Sequence, residues 1–219
     1  MELTLLFRGL LIGFSIAAPV GPIGVLCIRR TLSEGRAAGL LSGLGAATAD
    51  AIYGCIAGFG LTVIANFLLA QQAWFSLAGG AFLCYLGVKT WQAQPEQSPA
   101  LVAESGKPGD GLSTGRRMRS WLGLYASTFV LTLTNPLTIL SFVAIFAGLG
   151  LAEAKRDIAS AGILVLGVFG GSALWWLLLS SSINLLREKF NPQRLQWVNR
   201  LSGVIIAGFG LLALWKAFF

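Results

Sequence analysis

Six apolar runs, at about 3–28, 38–64, 73–90, 121–149, 158–183 and 199–219, occupy most of the 219-residue chain. Each is long enough as a helix to cross about 30 Å of hydrocarbon. Only helices and closed barrels satisfy their backbone hydrogen bonds inside a bilayer, and uninterrupted runs of this length select helices. The composition agrees: 55% of the residues are hydrophobic and 11% charged, where a soluble domain carries about a quarter charged. The expected fold is an all-α integral membrane protein of six transmembrane helices.

The net charge of +7 could suggest nucleic acid, but the sixteen Lys and Arg lie mostly between the apolar runs and form no single stripe. Topology explains them better. Arg29, Arg30 and Arg36 follow the first run, Lys107, Arg116, Arg117 and Arg119 the third, and Arg187, Lys189 and Arg194 the fifth. The connection after the second run has no basic residue, and that after the fourth has only Lys155 and Arg156. Odd-numbered connections, the long middle loop among them, are therefore expected to face the cytoplasm, with both termini outside. Arg8 dissents and would have to snorkel outward. The N-terminal run lacks the basic start and small-residue cleavage site of a signal peptide and is expected to stay as a span. Cys27, Cys55 and Cys84 fall in three different runs and there is no histidine, so neither a thiol relay, a metal centre nor any cofactor is expected.

Residues 92–120, rich in Pro, Gly, Ser and charge, read as a flexible cytoplasmic linker between 1–91 and 121–219. The two parts resemble each other. AGLLSGLGAATADAIYG from Ala38 matches AGILVLGVFGGSALWWL from Ala161, and LAGGAFLCYLGVKTW from Leu77 matches LSGVIIAGFGLLALW from Leu201, at nearly equal offsets. Three crossings is an odd number, so the second set of three enters the membrane from the other side: an inverted repeat, the arrangement of many secondary transporters.

Both first runs of the repeat contain proline. The first has Pro19 and Pro22 with Gly21 and Gly24 between and beyond them, and the fourth has Pro136 after Asn135. Proline removes an amide donor and frees a carbonyl one turn back, which hydrocarbon cannot satisfy. An unwound first span is expected from Ala18 to Gly24, with a half-helix starting near Pro22 whose positive end suits a carboxylate. Thr128, Thr132, Asn135 and Thr138 add a polar stripe to the fourth run. Threonines bonded back to their own helix around a tolerated kink are the alternative reading of that stripe, but two such segments in matching positions favour a site.

Asp50 is the only charged side chain between Ala37 and Trp74. An ionised acid at that depth costs several kcal/mol without partners, so it marks a functional position. Gly39, Gly43, Ala47, Asp50 and Gly54 share one helical face, on which another helix can pack closely, so Asp50 is expected to point into the bundle. It would receive a substrate ammonium, exchange a proton, or sit in a standing hydrogen bond to a neighbouring helix. For Arg29 and Arg30 topology suffices, with a gate involving Glu34 as a second reading. The Gly39–Gly43 and Gly54–Gly58 pairs read as seams within the bundle, and a homodimer stays open. Trp175 and Trp176 lie too deep for interfacial anchors and receive no role.

APVGPIGVLCIRRTLSEGRAAGLLSGLGAATADAIYG and TNPLTILSFVAIFAGLG together resemble the LysE/RhtB family of amino-acid exporters, and the likeness spans nearly the whole chain. The resemblance implies export of amino acids or close derivatives across a bacterial inner membrane, driven by protons. By position it implies functional roles for Pro19, Gly21, Pro22, Asp50, Asn135 and Pro136; with Thr132 and Thr138 of the polar stripe these make the expected substrate site, Asp50 coupling to protons. Leu137 stands where that family often carries a lysine. Two further readings compete. One is export of a divalent metal, as distant relatives of that superfamily perform, for which a single intramembrane carboxylate is a poor cage. The other is a membrane enzyme or assembly factor, for which no nucleophile or acid–base pair is visible.

Overall fold

The computed structural model describes residues 2–19, 21–58, 67, 70–93, 111–135, 137–142, 158–187 and 192–218. They form helices α1 (Glu2–Ala17), α2 (Pro22–Glu34), α3 (Arg36–Gly58), α4 (Gln72–Gln92), α5 (Gly111–Leu133), α6 (Ile158–Arg187) and α7 (Pro192–Phe218), with a further helical stretch at 137–142. No strand occurs among the described residues. Three helices, Arg36–Ile56, Ile158–Leu186 and Gln193–Trp215, are long and apolar enough to cross a membrane, and the bent pair α1–α2 makes a fourth. The third expected span is helical as α4, but its Gln, Ser, Lys and Thr make it less apolar. The fourth is interrupted, and its remainder from 143 lies outside the described residues.

Two boundaries differ from expectation. The residues from Arg29 to Gly39, read as a connection, are almost wholly helical: α2 runs on to Glu34 and α3 begins at Arg36. Only Gly35 separates them, with φ of 96°, a left-handed backbone that a side chain would strain. Its amide closes α2 by bonding the Thr31 carbonyl. The other lies in the middle of the chain, where α4 ends at Gln92 and α5 starts at Gly111, so residues 111–120 are helical.

The packing is that of a protein dissolved in lipid. Outward faces carry Leu3, Phe7 and Leu11 on α1, Leu166, Leu174 and Leu178 on α6, and Leu201, Leu211 and Leu212 on α7. The buried set is rich in Ser42, Thr128, Ser172, Ser180, Asn199 and other small or polar groups. Without a hydrophobic drive between helices, close approach and hydrogen bonds hold them together. At the α4–α7 crossing a β-carbon on Gly87 would lie 2.7 Å from the Ala207 nitrogen, and one on Gly203 would lie 2.8 Å from the Gly87 carbonyl. Backbone meets backbone there, so glycine is required.

Helix directions follow from which residues meet. Gly80 faces Gly210 and Gly87 faces Gly203, so α4 and α7 are antiparallel. Gly39 faces Ser180 and Gly54 faces Val168, so α3 and α6 are antiparallel too. By contrast α1 runs parallel to α6, Gly9 meeting Leu164 and Gly13 meeting Val168. The pair α3 and α5 is likewise parallel, with Gly45 against Tyr125 and the Tyr53 hydroxyl on the Leu133 carbonyl.

Candidate functional site

The first break sits where the prolines place it. α1 ends at Ala17, α2 starts at Pro22, and the two axes diverge by 82°. Gly21 is the N-cap in extended conformation, and no side chain caps the helix. The first-turn amides of Ile23 and Gly24 therefore have no helical acceptor, and both residues line a cavity.

The second break uses different chemistry. α5 stops at Leu133, and Asn135 Oδ1 accepts the Leu137 amide at 3.1 Å, making Asn135 the N-cap of the stretch 137–142. The Asn135 carbonyl accepts the Thr138 and Ile139 amides. In an unbroken helix the Leu133 carbonyl would also receive the Leu137 amide; here the Tyr53 hydroxyl from α3 donates to it at 2.6 Å. Tyr53 is thus the surrogate partner that a broken span needs, and it stacks obliquely on Phe142 with ring centroids 5.3 Å apart. The cap uses Asn135 Oδ1 and leaves its amide hydrogens without a partner among the described residues.

Asp50 is 3% exposed and lies on the face of α3 that packs on α6. Ser172 Oγ donates to its Oδ2 at 2.7 Å, and Trp176 Nε1 donates to Ser172 Oγ at 3.2 Å. No basic group pairs with Asp50 among the described residues. One carboxylate oxygen is held by α6 and the other has no protein donor there. The expected standing partner on a neighbouring helix had no assigned identity; Ser172 fills that role. Trp176, which had none, orients the serine.

One cavity of about 190 Å³ joins these features. Its walls bring together Pro19, Gly21 and Pro22 from the first break, Asp50 from α3, and Thr132, Asn135 and Thr138 from the second. Pro136 lies outside the described residues. The threonines divide. Thr128 and Thr132 spend their hydroxyl hydrogens on their own helix, Thr132 on the Thr128 carbonyl at 2.8 Å, whereas the Thr138 hydroxyl has no partner among the described residues. Ser141 and Trp176 complete the lining and were not among the residues expected. A wall with one acid, one primary amide, a hydroxyl and a helix N-terminus can hold a small zwitterion. Among the described residues no three Cys, Asp, Glu or His come together as a metal cage.

Toward the C-terminal end of α2 the arginines do more than topology requires. Arg30 is 6% exposed and donates from Nη1 to Ser42 Oγ at 2.7 Å and the Leu124 carbonyl at 3.0 Å, and from Nη2 to Ser127 Oγ at 2.8 Å. Arg29 Nε donates to Asn199 Oδ1 at 3.1 Å, and Asn199 Nδ2 donates to the Ala93 carbonyl at 3.1 Å. Neither bonds Glu34 among the described residues. The half-helix α2 is latched to α3 and α5 by one arginine and to α7 and the end of α4 by the other.

The family model described as LysE type translocator matches residues 14–217. The chain belongs to that family. This translocator is 29% identical over 206 residues to "Putative amino acid efflux protein YcgF" of Bacillus subtilis (strain 168), covering 92% of this chain and 90% of the relative. It is 30% identical over 196 residues to "Uncharacterized membrane protein YahN" of Escherichia coli (strain K12), with 86% and 79% covered. The "Chemotactic transduction protein ChpE" of Pseudomonas aeruginosa is 27% identical over 97% of this translocator and 98% of the relative. No solved structure matches it. Membership makes the chain a multi-pass membrane transporter.

Proposed function

We propose that this translocator is a secondary transporter that exports amino acids or close derivatives across a bacterial inner membrane, coupled to protons by alternating access. The observation that carries the reading is the convergence of two helix breaks and a buried acid on one cavity. The substrate carboxylate lies at the uncapped start of α2, where free amides and the helix dipole favour an anion. Its ammonium faces the open oxygen of Asp50 with the Thr138 hydroxyl oxygen as a further acceptor, and the Asn135 amide hydrogens donate to the substrate carboxylate. Asp50 takes up a proton when the ammonium leaves, which couples the two movements. The name of the Bacillus subtilis relative supports amino-acid efflux.

The six-span inverted repeat belongs to the same reading. The first half supplies α1–α2, α3 and α4, and the second supplies α5 with 137–142, α6 and α7. Six successive crossings demand that the first and fifth spans run parallel, as do the second and fourth, while the second opposes the fifth and the third opposes the sixth. The observed directions meet all four demands. Exchange of the halves also maps the α1–α6 contact onto the α5–α3 contact, as a pseudo-twofold requires. With both termini outside, the latch of Arg29 and Arg30 closes the cytoplasmic end, so export begins with its release.

Efflux from preloaded proteoliposomes against a panel of amino acids, with and without a pH gradient, tests the reading. Transport that responds to the gradient and is lost in Asp50→Asn is the expected result. Transport of a divalent cation instead, or undiminished transport in Asp50→Asn, overturns it.

A further inference from the structure

A second cavity, of about 570 Å³, opens between α4, the second break and α7, on the side of the molecule away from the arginine latch. It shares Pro22, Asn135 and Leu137 with the Asp50 cavity, so the two adjoin across a common wall. They differ in charge: the first has the acid and the helix start, whereas the second has no charged residue among its described lining, where Gln72, Ser76 and Thr134 stand among Leu83, Leu131, Phe209 and Leu212. Within it Ser76 is 3% exposed, and its hydroxyl has no partner among the described residues. A buried polar group is normally satisfied, so an open hydroxyl facing a cavity marks a place for a ligand. The Asn135 amide hydrogens, equally without partner, stand on the common wall.

Building on the amino-acid reading of the Asp50 cavity, we infer that this second cavity is the side-chain subsite, and that the substrates are neutral amino acids with a large uncharged side chain. The backbone end of such a substrate occupies the Asp50 cavity, and the side chain passes Leu137 into the second. A lysine or arginine side chain would carry a cation into a wall without a counter-charge, and an acidic one would carry a second anion near Asp50. The volume lies within the range of small-molecule sites, about 300–1,000 Å³, and exceeds what a methyl group needs. Ala213 on α7 and Leu137 at the common wall then set the size limit. Ala213 is half-buried and Leu137 is 59% exposed, so both tolerate replacement without loss of the core.

Counterflow in proteoliposomes with glycine, alanine, leucine, phenylalanine and lysine tests the inference on wild type, Ala213→Phe and Leu137→Ala. Wild type is expected to prefer leucine and phenylalanine over lysine by about tenfold or more. Ala213→Phe should lower phenylalanine counterflow about tenfold relative to alanine, and Leu137→Ala should raise the phenylalanine-to-alanine ratio. Equal effects on all substrates in both variants, as for a crevice filled only by a lipid acyl chain, overturn the inference while leaving the amino-acid reading intact. So does a wild-type preference for lysine. Wild type that moves no amino acid at all overturns both.

Discussion

At the scale of single residues the weight falls on Asp50. It is buried in an apolar bundle with a single donor among the described residues, Ser172 Oγ at 2.7 Å, so its remaining valence is available to whatever enters the cavity. Asp50→Asn keeps the size and the serine contact but cannot carry a negative charge or exchange a proton; gradient-driven efflux should vanish while the protein still reaches the membrane at normal levels. Ser172→Ala is milder. Loss of one hydrogen bond to a charged group is worth about 1.5–3 kcal/mol, or roughly ten- to a hundredfold in an equilibrium, and coupled efflux should fall within that range without being abolished. Asp50 was legible because one acid in a long apolar run has no cheap structural explanation. Ser172 and Trp176 were not, because a serine or tryptophan inside an apolar helix is common and nothing in the local pattern says which one faces the acid.

At the scale of elements, the two interrupted spans solve the same problem by different means. The first leaves its new helix start uncapped at Gly21, and the second is capped by Asn135 with Tyr53 closing the orphaned Leu133 carbonyl. Tyr53→Phe strands that carbonyl in the bundle, which costs about 1–3 kcal/mol. A lower melting temperature in detergent, with substrate preference unchanged, is the expected readout. The positions of both breaks could be read from proline alone, since a missing amide is a property of the residue itself. The substitute donor could not, because it comes from α3 and depends on how α3 and α5 are aligned. Likewise the helical character of residues 29–39 was hidden by their charge: arginine and glutamate are good helix formers, and only Gly35 enforces a turn.

At the scale of the whole molecule, the latch at the end of α2 defines one closed face. Arg30 reaches Ser42, Leu124 and Ser127 with a planar fork, a geometry lysine cannot copy. Cys27, one turn earlier, is 2% exposed. In a Cys55→Ser, Cys84→Ser background, a membrane-impermeant maleimide should label Cys27 slowly. Arg30→Gln should speed labelling about tenfold by opening that face, since each 1.4 kcal/mol lost from the closed state is a factor of ten. Unchanged labelling would mean that the arginine stabilises the fold without holding a gate. Positive-inside statistics concealed these contacts, because a basic residue at a span end already has a sufficient explanation.

The single glycine between α2 and α3 has a mechanical corollary. A half-helix leashed by one residue cannot slide along its own axis without dragging its neighbour, so its permitted motion is a swing about Gly35. The free end of that lever is the uncapped start at Pro22, which means that a few degrees at the pivot displace the first-turn amides most of all.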